Sequence, residues 1–139
     1  MVEFKNYLKP ILESNGLAEW KDGFNRDNIP KNILDKAYFM SYGINTVENG
    51  INMEDNINVQ IECFFKGFRD PQTAIDDSME LCNSIRLEIL SPETIYQFAE
   101  MNILGINSVT QVPEPLSTTN DNSIIVTMEF NIRFIQINC

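Results

Sequence analysis

The chain has 139 residues, 43% hydrophobic and 22% charged, with 20 acidic residues against 10 basic and a formal net charge of −10. That length and composition suit one domain with a buried core and exclude a disordered chain. The charge excludes wrapping nucleic acid, whose phosphates such a surface repels, but not letting DNA slide past; it also serves plain solubility.

Histidine is absent, which removes the commonest general base, the commonest metal ligand and every Ser-His or Cys-His nucleophile system. No apolar run reaches the roughly 18 residues that cross a bilayer. The opening MVEFKNYLKP lacks the apolar centre of a signal peptide. A cytosolic chain with no membrane partner is expected. Its three cysteines, Cys63, Cys82 and Cys139, are too few and too scattered for a disulfide framework or a zinc site, so they are expected as thiols.

In VEFKNYLKPILESNG, Phe4, Leu8, Ile11 and Leu12 share one helical face. Pro10 kinks or restarts that helix, and Gly16 is a suitable stop. An irregular stretch follows, with Trp20 expected over the edge of the core. Residues 35–45, DKAYFMSYGIN, alternate as an aromatic-rich strand. TVENGINMEDN then combines Asn49-Gly50 turn chemistry with acids and predicts a protruding acidic loop. INVQIECFFKGF predicts a second long strand, with Ile57, Val59, Ile61, Cys63 and Phe65 on one face and Phe64 and Phe68 on the other.

RDPQTAIDDSMELCNSIRLEIL is the clearest helix. Asp70 is its N-cap and Pro71 its first residue. Asp76 and Asp77 come early and Arg86 late, as the helix dipole favours. Its buried stripe is Ala74, Ile75, Ser78, Met79, Cys82, Ile85 and Ile89, which makes Cys82 core filler and not a nucleophile. SPETIYQFAEM predicts a short capped helix, NILGINSVTQV a third strand and PEPLSTTNDNS a polar loop. IIVTMEFNIRFIQINC then alternates for longer than a typical strand. The expected fold is α+β: one domain over residues 1–139, a mostly antiparallel sheet with helices on one face.

No nucleotide-binding glycine loop, nucleophile elbow or calcium-loop spacing occurs in the sequence. Glu48, Glu54 and Asp55 read as a solvated tip and not a cation site. No catalytic residue, metal or cofactor is expected. A small hydrolase using Glu62 or Asp76 is the enzymatic alternative. Surface apolarity is the more informative signal. Phe64, Phe68, Ile125, Ile135 and Ile137 lie on strand faces that water should wet, so either helices, the N-terminal one foremost, or another subunit must cover them. At about 3.3 Å per residue the last strand reaches roughly 45 Å. That length predicts that it extends to a neighbouring subunit, with Phe134, Ile135 and Ile137 near the contact.

DNIPKNILDKAYFMSYG, NVQIECFFKGFRDPQTAIDDSMELCNSIR and SIIVTMEFNIRFIQIN resemble, respectively, the lead-in to the first strand, the long strand with its capped helix, and the closing strand of tail terminator (neck, tail-completion) proteins of tailed bacteriophages. The resemblance runs over roughly residues 28–138. It implies a tail-terminator-like fold and a structural virion protein, assembled in the host cytoplasm. It further implies a homohexameric ring that caps the tail tube, stops its polymerisation and joins it to the head connector. Genomic DNA would then pass through the lumen without sequence-specific binding. On the residues alone, the loops holding Glu48, Glu54, Asp55 and Glu114 are expected to act as docking arms. Another neck or tube ring subunit, or a dimeric binding module outside phages, is the alternative.

Overall fold

A computed structural model describes residues 2–20, 36–49, 52–65, 71–91, 103–115 and 124–136. The fold is α+β. Helix α1 (Val2–Ser14) leads into a two-residue strand, β1 (Ala18–Glu19). Two long strands follow, β2 (Ala37–Asn49) and β3 (Asn52–Phe65), then helix α2 (Pro71–Ile89), β4 (Ile103–Pro115) and β5 (Ile124–Gln136). The sheet order is β1-β2-β3-β5-β4; β1 pairs parallel to β2 and every other neighbour pair is antiparallel.

Each helix forms for reasons local to its sequence. Helix α1 continues through Pro10 and ends in a Schellman motif. There the Leu17 amide donates to the Leu12 carbonyl and the Gly16 amide to that of Glu13, at 3.1 and 3.0 Å. Gly16 supplies the required positive φ of 87°, and Leu17 and Leu12 are both buried in the core beside the motif. Helix α2 opens on Pro71, whose fixed φ suits that position. Its first turn holds no acid, so Asp76 and Asp77 start too late to meet the helix dipole there. Asp76 instead accepts a hydrogen bond from Gln72, one turn back, at 3.0 Å. Asp70 and the short helix expected in SPETIYQFAEM beyond Ser91 lie outside the described residues.

Both helices pack on the same sheet face. Phe4, Leu8, Ile11 and Leu12 of α1, with Ala74, Cys82, Ile85 and Ile89 of α2, bury against Tyr38, Met40, Val59, Ile61, Cys63, Val126, Met128 and Phe130. Burying such a surface is the main driving force for the fold. Gln111 of β4 ties α2 down by donating to the Met79 carbonyl at 3.0 Å.

The opposite face divides in two. At one end Trp20, Ala37, Phe64 and Ile125 form a second small core, with Phe39 against it. Beyond it the strands present Gln60, Glu62, Thr127 and Glu129. The cover for the apolar end is therefore the segment after α1, and neither α1 itself nor a second subunit. Phe64 is 0% exposed and Trp20 meets it edge-on, with ring centroids 5.3 Å apart and planes at 81°.

Two expectations about the long strands are corrected. The acidic loop TVENGINMEDN is not a loop: β2 pairs with β3 as far as Asn49–Asn52, leaving only residues 50 and 51 between them. Nor does β5 overhang toward a neighbour. It lies inside the sheet, matched from Ile124 to Gln136 against Phe65 to Met53 of β3 and flanked on its other side by β4. Its length mirrors the equally long β3 of the same chain.

Candidate functional site

Strand alternation sends every second side chain to the face away from the helices. Where β3, β5 and β4 run side by side, this brings Gln60 and Glu62, Thr127 and Glu129, and Thr110, Val112 and Glu114 around one shallow concavity of about 350 Å³. The register places them in rows, Gln60–Glu129–Thr110 and Glu62–Thr127–Val112. Glu62 is buried at the floor, and Val112 stands 50% exposed on the wall. Asn58 of β3 donates to a Glu129 oxygen of β5 at 2.9 Å, which steadies that carboxylate across the strand pair.

The strands are strongly unbalanced in charge. Among the described residues they carry Glu19, Glu48, Glu54, Asp55, Glu62, Glu114 and Glu129 against a single basic residue, Arg133. Among the described residues no group of three or more cysteine, aspartate or glutamate side chains is placed to hold a metal ion. No described helix is long and apolar enough to cross a membrane.

The structure distributes the residues singled out from the sequence unevenly. Phe64 is not a subunit-contact residue waiting for cover, because Trp20 and Ile125 enclose it within the chain. Ile125 is enclosed with it. Phe134 is partly buried against the main core and pairs with Asp55 and Ile103, so it is an internal packing residue. Ile135 is held in register opposite Glu54.

Asp55 is 4% exposed and no part of a solvated tip. It sits on the helix-side face between Thr46 and Phe134. Glu48 and Glu54 are strand residues, opposite Met53 and Val47. Glu114, expected in a docking loop, is an exposed residue of β4 opposite Ile125 and lines the concavity. Asp76 lies on α2, on the other side of the sheet from Glu62, so the two do not form a carboxylate pair. Phe68 and Ile137 lie outside the described residues.

Compared with models of known protein families and with curated protein sequences, the chain matches none.

The sequence reading missed the outer side of β2. Tyr42 and Ile44 project from the helix-side face, 51% and 55% exposed, past the reach of the helices. Helix α1 is about 20 Å long and β2 about 44 Å, so the strand must outrun its cover. Their alternation with Ser41 and Gly43 was visible in the sequence, but the expectation that one whole face would be covered hid its consequence.

Proposed function

We propose that this chain is a structural ring subunit of a bacteriophage tail, a tail terminator that caps the tail tube and joins it to the head connector, with no catalytic role. The observation that carries the reading is the acidic sheet face: Glu62, Glu114 and Glu129 around an open concavity, with Arg133 the single basic residue of the described strands. A ring whose lumen is lined by such a face repels phosphate at every position along the duplex. DNA would then pass without lodging. The likeness of three sequence stretches to the terminator family supports the same reading, as does a rigid sheet that could present one face inward in each subunit.

Electron microscopy of the protein, alone and mixed with polymerised tail tubes, tests this. Rings capping one end of each tube are expected. Tubes that stay uncapped at saturating protein overturn the reading.

A second reading, a dimeric binding module, is favoured by one specific observation, the long edge of β2 that no strand among the described residues pairs beyond Tyr38. It differs from the ring in mass and in symmetry, since a two-fold contact is self-complementary and closes after two copies.

A further inference from the structure

We propose that the outer edge of β2 pairs antiparallel with β2 of a second copy, centred on Gly43, joining two sheets into one. This inference rests on the edge alone and not on the ring reading. A two-fold contact cannot close a polar ring, so in a tail it would be the form of the free chain, given up on assembly.

The phase of the backbone fixes which groups are offered. Ala18 donates to the Lys36 carbonyl and Trp20 to that of Tyr38. Even-numbered residues of β2 therefore turn their backbone groups away from β3. The β2–β3 register runs to Asn49 without a shift, so that parity persists. β1 ends at Glu19, opposite Tyr38, and among the described residues nothing pairs with this edge beyond it. Met40, Tyr42, Ile44 and Thr46 thus present donors and acceptors to whatever lies alongside.

This edge also lacks the devices that keep edges apart. Natural edge strands carry charges, prolines or bulges against unwanted pairing. β4, the opposite edge, has Pro113, Glu114 and Pro115, and two register shifts. The stretch AYFMSYGINTV, residues 37–47, has no charge and no proline, in a chain of net charge −10. A basic partner would be met by acids here. A second copy, equally negative, needs the opposite, a contact zone free of charge. The protected β4 edge also makes β2 of the second copy the better match than its β4.

Self-pairing about Gly43 meets each requirement. It sets Tyr42 opposite Ile44 of the second copy, twice, as hydrogen-bonding pairs with both side chains on the helix-side face. Aromatic and β-branched residues are a favourable cross-strand combination. Gly43 faces its own counterpart at the non-hydrogen-bonded position, where backbones come closest. Nothing among the described residues explains a glycine there. Its φ is not positive, and an added Cβ would meet no atom within 4 Å. Glycine inside a strand commonly marks the approach of another backbone.

Sedimentation equilibrium across about 5 to 500 µM, where contacts of this size dissociate, should show the mass rising toward twice the 16.0 kDa of one chain. Ile44→Lys, with an unchanged circular dichroism spectrum, should hold it at one chain. In a Cys139→Ser background, Gly43→Cys should cross-link to a covalent dimer on mild oxidation, since Cα atoms at such a pair lie about 4.5 Å apart. Tyr42→Cys should not, because two copies of that position sit on a diagonal about 7–8 Å apart. A single-chain mass throughout, or equal cross-linking of both variants, overturns the proposal. A free chain that stays at one mass and never links through Gly43→Cys, yet caps tubes as rings, overturns it while leaving the tail reading intact. Linked pairs with tubes left uncapped do the reverse.

Discussion

Tyr38 is the residue whose chemistry the fold alters most legibly. Burial, with Glu19 and then Glu13 adding negative charge, pushes its phenol up from 10.0 to about 12. The folded chain therefore holds this proton more tightly than the unfolded one. Its contribution to stability is complete below pH 10 and is lost progressively as pH rises from 10 to about 12. Urea unfolding at about pH 9 and about pH 12 should show a steep fall in midpoint for the natural chain and a shallower one for Tyr38→Phe. Parallel slopes would remove Tyr38 as the cause. A neighbouring thiol moves the same way: Cys63 is raised well above its ordinary value by its hydrogen bond with Cys82 first and by burial second. Cys82 was legible as core from its place in the α2 stripe. Its meeting with Cys63 was not, because contacts between a strand and a later helix leave no periodic trace.

At the scale of elements, the helices were readable wherever a cap, a proline or a 3.6-residue stripe spoke locally. The last strand was readable in its unusual length, which β5 has, but the ends of β2 and β3 at their hairpin were not. Asn49-Gly50 signalled a turn, and the acids around it suggested a loop, yet cross-strand pairing carried both strands through them. β1 was invisible because two residues have no period. It is nevertheless the element that sets Trp20 over Phe64: the Trp20 amide donates to Tyr38 at 2.8 Å, clamping the indole above the second core. Phe64→Ala should cost about 3–5 kcal/mol, as for other large buried aromatics. It should also shift the emission of Trp20, the only tryptophan, to the red. In a double-mutant cycle with Trp20→Leu, read by urea unfolding, the coupling should be about 0.5–1.5 kcal/mol. A Phe64→Ala chain of unchanged stability would mean that the second core contributes nothing to holding this end of the sheet.

For the whole molecule, charge opposes folding and association together. Twenty acidic residues against ten basic ones gather on a small body, and the strands concentrate that imbalance on one sheet, with Glu62 buried and Arg133 alone in opposition. Self-repulsion of this kind acts over distances that salt screens: the Debye length shrinks from about 10 Å at 0.1 M to about 3 Å at 1 M. Sodium chloride is the informative salt because, unlike sulfate or phosphate, it adds little general strengthening of apolar burial. Raising it from about 0.02 M to about 0.5 M should raise the urea midpoint and, through the charge-free β2 edge, tighten pairing between copies. Were exposed ion pairs such as Lys9–Glu19, at 3.5 Å, the larger influence, the midpoint would fall instead. The sign of that one slope therefore separates a fold held against its own charge from one held partly by it. A rise in stability without tighter pairing would place the repulsion within each chain and not between copies.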